Sequence, residues 1–148
     1  MQFSGEAHIN APREEVWSFI SDPEQIAQCA PGLQSVEVVD DEHFDVSVRA
    51  GIGMIRGNFN FKCEWVEREA PDHARIKANG TAPGSAVTMD STMDLQDSDE
   101  GGTTLIWSAD AQVSGRLAGV GARLINPVAN RMTQQIFDCI REKLHTKS

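Results

Sequence analysis

The sequence predicts an α+β fold, in which a curved antiparallel sheet of seven strands packs around a long C-terminal helix and two short helices follow the first strand. Three observations predict it: apolar and polar residues alternate through the middle of the chain, apolar residues recur every four positions near its end, and two proline-containing start signals follow the first strand. The chain has 148 residues, the size of one ordinary domain. We therefore expect residues 1–148 to form a single domain.

The beginning of the chain predicts one strand and two short helices. Residues 2–10 alternate loosely, which indicates a strand. Pro12 suits the first position of a helix, because its missing N–H would have no partner there. Glu14 and Glu15 then lie in the first turn, where they oppose the positive end of the helix dipole. The segment 21–24 repeats the start signal and predicts a second short helix.

The centre of the chain predicts six further strands joined by turn-like segments. Their approximate spans are 33–39, 43–51, 54–67, 74–81, 85–96 and 103–114. In the second of these, Phe44, Val46 and Val48 alternate with Asp45 and Ser47. One polar and one apolar face is typical of an antiparallel sheet that is covered on one side.

The cover is predicted from residues 117–144. Apolar side chains recur there with a spacing of four, which indicates an amphipathic helix; they are Val120, Leu124, Val128, Met132, Ile136, Ile140 and Leu144. Pro127 is expected to kink this helix or to divide it into a short lead-in and a longer body.

The charge is unevenly distributed. The formal net charge of -9 argues against nucleic acid as a partner, because its phosphates would repel the protein. Residues 116–148 nevertheless carry a net +4, whereas residues 1–115 carry -13. This segment is either a solvated basic helix or a docking face for an acidic partner or an anionic membrane surface. Under the second interpretation the docking residues are Arg116, Arg123 and Arg131.

Cysteine usage and the N-terminus indicate a cytoplasmic protein. Cys29, Cys63 and Cys139 are odd in number and widely separated, which supports neither a zinc site nor a disulfide framework and predicts reduced, partly buried thiols. The N-terminus has neither the basic region nor the apolar run of a signal peptide. No stretch approaches the ~20 apolar residues that a membrane span requires. Any membrane contact is therefore expected to be peripheral.

The residue patterns of common active sites are missing. The four histidines fall in four different predicted elements, so neither a metal site nor another cofactor is predicted. The glycine-rich segment 51–57 connects two strands and opens no helix, which argues against a phosphate-binding loop. Asp90 and Asp94 share a strand face, but it is the polar one. Four of the five methionines fall in the predicted core, a pattern that fits a plain core and an adaptable ligand pocket equally well.

Several stretches spread over nearly the whole chain resemble the CoxG family of carbon monoxide dehydrogenase subunits, within the START-like (SRPBCC) superfamily. They are residues 3–5, 11–17, 22–24, 29–37, 113–118 and 121–125. The patterns Pro-Gly-x-x-Ser-Val-Glu at 31–37 and Ser-Gly-Arg-Leu-Ala at 114–118 are fairly specific to that family.

The resemblance implies a helix-grip fold with an elongated cavity between the sheet and the C-terminal helix. It further implies an accessory role beside molybdenum hydroxylases of the carbon monoxide dehydrogenase type, with recruitment to the cytoplasmic membrane and handling of a quinone or a similar lipophilic molecule. No catalytic residues come with this family. The same fold also serves polyketide cyclases and dehydratases, so an enzyme acting on an apolar substrate is the alternative.

The first hypothesis is therefore that an apolar ligand lies between the sheet and residues 117–136 and enters near residues 29–33. An acidic side chain or histidine on the apolar face would favour the enzyme instead. The predicted lining residues are Leu33, Met54, Phe59, Phe61, Met89, Met93, Trp107, Leu124, Val128 and Met132.

Overall fold

The computed structural model of the protein describes residues 1–98 and 101–145. Its elements follow the predicted order. The strands are β1 (Gln2–Ile9), β2 (Leu33–Val38), β3 (His43–Ile52), β4 (Ile55–Glu69), β5 (His73–Ala82), β6 (Ser85–Asp97) and β7 (Thr103–Gly115). The helices are α1 (Arg13–Ile20), α2 (Pro23–Ile26), α3 (Arg116–Val120) and α4 (Ala122–His145), and a 3₁₀ turn (Ala27–Cys29) follows α2.

The strands form one antiparallel sheet in the order β1-β7-β6-β5-β4-β3-β2. The central strands follow one another as a meander, and β1 pairs with β7, so that β1 and β2 are the two edges. The predicted strand boundaries differ from these by at most two residues. The predicted fold class is confirmed, because seven antiparallel strands, the short helices after β1 and the long C-terminal helix are all present.

The C-terminal helix is divided, but at a different residue from the one predicted. Pro127 lies inside α4, which continues past it, so the expectation that Pro127 separates a lead-in from a body is wrong. The division falls at Gly121, between α3 and α4, where φ is 86°. Glycine adopts this backbone conformation readily because it has no Cβ, which makes it the residue that can end one helix and redirect the chain.

Buried side chains form a cluster near each end of α4. One cluster joins the C-terminal part of α4, through Ile140, to Val16 of α1 and Leu105 of β7. The other joins Ile125, in the first turn of α4, to Leu117 of α3 and to the strands β3, β4 and β6. The helix is thus fixed to the sheet at both ends, and the space between the clusters is available for a cavity.

The prediction of three reduced thiols is wrong for one pair of cysteines. Cys29, at the end of the 3₁₀ turn, forms a disulfide bond with Cys139 of α4, and the two Cα atoms are 5.5 Å apart. The partners are 110 residues apart in sequence, so local spacing carries no sign of their pairing. Cys63 is the free cysteine. The disulfide attaches the segment after α2 to the helix that covers the sheet.

Candidate functional site

An apolar cavity of about 390 Å³ lies between the inner face of the sheet and α4. This volume falls within the ~300–1,000 Å³ typical of small-molecule sites. Strands β1, β3, β4, β6 and β7 supply one wall, α4 supplies the other, and α1, α2 and α3 each contribute one lining residue. On α4 the lining runs from Ile125 to Ile140, about 22 Å of helix at 1.5 Å per residue. The cavity is therefore elongated, as the resemblance implies.

Seven of the ten predicted lining residues face this cavity. They are Phe59 and Phe61 of β4, Met89 and Met93 of β6, Trp107 of β7, and Val128 and Met132 of α4. Strand or helix periodicity predicted the position of each of these residues. Periodicity determines which face of a strand or helix a residue occupies, but not what the residue contacts. Their contact with a ligand remains a prediction.

The other three predicted lining residues lie elsewhere. Met54 belongs to the turn between β3 and β4 rather than to the strand, and its side chain is 90% exposed. Leu124 is 52% exposed, because a spacing of four residues drifts around a helix that has 3.6 residues per turn, and Ile125 is buried in its place. Leu33 packs, half-buried, against the cluster that contains Val48 and does not reach the cavity.

The predicted entrance near residues 29–33 is not found, since none of these residues lines the cavity. The segment is instead fastened to the edge of the sheet, where the amide of Arg49 donates a hydrogen bond of 2.8 Å to the carbonyl of Gly32. Gly32 has a φ of 76°, and a Cβ at this position would overlap the carbonyl oxygen of Arg49. Only glycine fits this close approach, which holds residues 29–33 against β3.

The cavity has more lining residues than the ten predicted, and two kinds among the missed ones are informative. Ile20 and Ile26 come from α1 and α2, which were predicted as helices but not placed over the sheet. Small residues of the sheet were also missed, notably Ser91, Ala109 and Ala111. Their position on the inner strand faces follows from the same alternation that identified Met89 and Met93, but the prediction favoured large side chains.

Small residues and glycines explain why the space under α4 is not filled. Ser91 of β6 pairs directly with Ala109 of β7, so two short side chains lie side by side in the middle of the sheet. A Cβ at Gly80 would lie 2.5 Å from the ring of Phe61, and one at Gly5 would lie 3.1 Å from the indole nitrogen of Trp107. The ring of Phe61 therefore packs directly against the backbone of Gly80, and the ring of Trp107 packs against that of Gly5.

No ionisable side chain is among the residues that line the cavity within the described part of the chain. The polar residues of the lining are Ser91, Thr92, Ser108 and Thr133. A cyclase or dehydratase would need a group that can take up and release a proton next to its substrate. In the described part of the chain the lining is apolar apart from these few hydroxyl-bearing residues.

The charged groups of the sheet face away from α4. Arg75 makes two hydrogen bonds to Asp90, of 2.9 and 2.7 Å, and the guanidinium lowers the pKa of Asp90. The ring nitrogens of His73 lie 2.7 Å from Asp94 and 2.8 Å from Glu67, and these carboxylates, Asp94 first, raise the pKa of His73. The Arg75–Asp90 ion pair and the hydrogen bonds of His73 lie on the polar face of the sheet, as predicted for Asp90 and Asp94.

The remaining titratable candidates do not assemble a reactive site. His8, His43 and His73 lie on three different strands, and the side chain of His145 lies outside the described residues. No group of three or more His, Cys, Asp and Glu side chains in residues 1–98 and 101–145 is arranged to hold a metal ion. Burial raises the pKa of the Cys63 thiol to about 11, so this cysteine is a protonated and weakly nucleophilic side chain at neutral pH.

The predicted docking residues Arg116, Arg123 and Arg131 are all exposed. Arg116 lies against the turn between β5 and β6 at Gly84, while Gly53, in the turn between β3 and β4, lies against Val120 and Leu124. These turns and the α3–α4 junction therefore meet at one end of the molecule. We call this region the basic end, defined by the exposed residues Met54, Arg56, Arg116, Arg123 and Leu124.

The basic end lies in parts of the chain that contain no acidic residue. No Asp or Glu occurs in residues 46–63, 73–89 or 111–137. Met54 and Leu124 are among the exposed large hydrophobic side chains, and Ile52 and Leu117 from the same segments line the cavity. One end of the cavity thus lies beneath a surface that is both apolar and positively charged.

The sheet, the covering helix and the apolar cavity between them define a START-like helix-grip protein. The model of the carbon monoxide dehydrogenase G-subunit family (CoxG) matches residues 5–145, and the chain belongs to this family. A comparison with curated proteins found no significant match in sequence. In the described residues, no helix is both long enough and apolar enough to cross a membrane.

Solved structures share this fold at low sequence identity. A conserved protein from Geobacillus kaustophilus is 24% identical with a TM-score of 0.91, and the match covers 99% of this chain and 96% of that one. A START superfamily protein from Mycobacterium smegmatis is 12% identical with a TM-score of 0.76, covering 99% of both chains. A protein from Thermus thermophilus is 17% identical with a TM-score of 0.74, covering 100% of this chain and 99% of that one.

Proposed function

We propose that this protein binds a hydrophobic molecule, a quinone or a lipid-like compound, in the cavity under α4 and catalyses no reaction on it. The observation that carries this proposal is a cavity of about 390 Å³ whose lining, among the residues that the structure describes, contains no ionisable side chain. An apolar molecule gains free energy when it leaves water for such a site.

The family supports a proposal for the partner enzyme. Because the chain belongs to the CoxG family, we propose an accessory role beside a molybdenum hydroxylase of the carbon monoxide dehydrogenase type. In this role the protein works in the cytoplasm and carries its ligand to or from the partner enzyme.

Native mass spectrometry of the protein after gentle extraction from its source tests the binding proposal. We expect the protein to retain one neutral, lipophilic molecule, which organic extraction and fragmentation then identify as a quinone or a lipid. Repeated purifications in which the protein carries no such molecule, and in which added quinones and lipids also fail to bind, would contradict the proposal.

We further propose that the basic end contacts the anionic inner surface of the cell membrane. Its arginines match the charge of anionic headgroups, and Met54 and Leu124 supply apolar side chains that insert between them. Arg131, eight residues further along α4 than Arg123, is also exposed and is included in the proposed surface. Membrane contact at this end brings one end of the cavity close to the bilayer.

Charge reversal tests this docking surface. The variant Arg123→Glu with Arg131→Glu is expected to weaken binding to anionic vesicles by about tenfold or more, since each arginine near such a surface contributes about 1 kcal/mol. Co-sedimentation with vesicles of phosphatidylglycerol and phosphatidylcholine measures the loss. Ligand binding is expected to be unchanged, because neither arginine lines the cavity.

The matched control is Lys62→Glu with Lys77→Glu, which changes the net charge equally on the outer face of the sheet, where both lysines are exposed. If the control weakens vesicle binding as much as the arginine variant does, the effect comes from net charge alone and the docking surface is wrong. Vesicle binding that survives the arginine reversal contradicts it as well.

A further inference from the structure

The cavity contains one polar side chain without a partner in the described part of the protein. Ser91 lies in the middle of β6, on the same strand face as Met89 and Met93, and it lines the cavity. Its direct neighbours across the sheet are Ala109 of β7 and Ile76 of β5, which offer no polar side-chain atom.

The other hydroxyl groups of the lining are already used. Thr92 and Ser108 are lining residues, but their hydroxyl groups lie on the exposed face of the sheet and pair with each other at 2.7 Å. Thr133 donates a hydrogen bond of 2.8 Å to the carbonyl of Ala129 within α4. Within the described residues the hydroxyl of Ser91 has no hydrogen-bond partner. Its oxygen is accessible, and the residue lines the cavity. It is therefore free to bond to a molecule that occupies the cavity.

The lining also limits the charge of that molecule. A carboxylate or phosphate inside the cavity would need a cation or several N–H donors to offset its loss of hydration. No Lys, Arg or His lines the cavity in the described part of the chain. The N-terminal ammonium of Met1, itself a lining residue, already donates a hydrogen bond of 2.7 Å to the carbonyl of Ala111 and lies 4.0 Å from a carboxylate oxygen of Asp110. The chemistry of the lining thus matches a neutral ligand.

We propose that the cavity selects a neutral, elongated apolar molecule with a hydrogen-bonding oxygen near its middle, and that Ser91 is the group that holds this oxygen. The proposal rests on the proposed function, since it names the class of ligand for the same cavity. A carbonyl group on an apolar body, as in a quinone or a neutral ester lipid, meets both requirements. A fatty-acid anion does not, because its charged end would be buried without a partner.

Displacement of the neutral dye N-phenyl-naphthylamine from the purified protein tests this selection. The competitors are decylbenzoquinone, a neutral fatty-acid methyl ester, decylbenzene as the hydrocarbon without oxygen, and dodecanoate as the anion. We expect the quinone or the ester to bind better than decylbenzene, and dodecanoate to bind least. The competitor that binds best distinguishes a quinone from an ester lipid as the source of the oxygen.

The variant Ser91→Ala is expected to lose about three- to tenfold in affinity for the carbonyl-bearing competitor, the usual effect of one net hydrogen bond, and nothing for decylbenzene. Ser91→Thr keeps the hydroxyl and is expected to restore binding. The matched control is Thr88→Val, which removes a hydroxyl group from the outer face of the same strand, where Thr88 is exposed and does not line the cavity. Thermal unfolding of each variant verifies that it is folded.

The outcomes separate this inference from the proposed function. If the dye and the competitors bind but Ser91→Ala affects decylbenzene and the carbonyl compound equally, or if dodecanoate binds as well as the neutral compounds, the selection by Ser91 is wrong and the binding function stands. If neither the dye nor any competitor binds to the wild-type protein, the binding function itself is wrong, and the inference falls with it.

Discussion

Replacing Ala109 by Phe is expected to lower the affinity for any ligand of the cavity by about tenfold or more, which corresponds to ~1.4 kcal/mol or more of binding free energy. Ala109 lines the cavity in the middle of the sheet, between Phe3 of β1 and Ser91 of β6. A phenyl ring at this position occupies the space that the ligand needs. Displacement of the same neutral dye measures the loss.

The cavity has room for the ring, so the variant is expected to fold with a stability within about 1–3 kcal/mol of the wild type, the usual cost of overpacking. The matched control is Ala86→Phe, which places the same ring on β6 at a position exposed to solvent. Wild-type affinity in Ala109→Phe would show that the ligand does not occupy this cavity, whereas an equal loss in Ala86→Phe would show that the effect is not specific to it.

Removing the disulfide is expected to lower the free energy of unfolding by about 2–5 kcal/mol. Cys29 and Cys139 close a loop of 110 residues, and a crosslink that restricts so long a loop in the unfolded chain is among the most stabilising in the chain-entropy model. Urea denaturation of Cys29→Ser with Cys139→Ser, compared with the oxidised wild type, measures the difference.

The matched control is Cys63→Ser, which removes the free thiol and leaves the crosslink intact. In the presence of a dithiol reductant the wild type and the double variant are expected to unfold at similar urea concentrations. Three titratable thiols in the unfolded, unreduced wild type would contradict the disulfide. The same titration on protein trapped rapidly in its cells tests the proposed cytoplasmic location, because the cytoplasm keeps most protein thiols reduced.

The architecture was predictable because periodicity reports which side of an element is buried. The alternation in β3, β4, β6 and β7 and the apolar stripe of α4 follow directly from a fold that covers one face of a sheet. The positions predicted for Met54 and Leu124 were wrong because both residues lie at the ends of such patterns. Met54 belongs to a turn rather than to a strand, and Leu124 lies where the four-residue spacing has drifted away from the buried side of the helix. Periodicity thus predicts the boundaries of strands and helices, and the exact buried side of a helix, less well than it predicts the elements themselves.

The cavity itself was harder to predict than the face on which it lies. Its volume depends on small residues such as Ser91, Ala109 and Gly80, which carry no hydrophobic signal of their own. The two clusters at the ends of α4 set the distance between this helix and the sheet. That distance decides whether α4 fills the space above the small residues or leaves a cavity there, and it is a property of the assembled fold. For the same reason, the pairing of Cys29 with Cys139 was not accessible from sequence spacing.

The pairing of the first strand with the last determines when the protein can finish folding. Residues Gln2–Ile9 take their places beside residues 103–110, so β1 leaves the ribosome long before its partner exists. The strand β7 completes the sheet, and the helices that follow it cover the sheet. All of these elements lie within the last third of the chain. Pairings this distant in sequence form slowly, because a long loop must close before they contribute. During synthesis the inner face of the sheet therefore stays open to water until α4 emerges, and the capacity to hold a ligand arises only when this helix has been made.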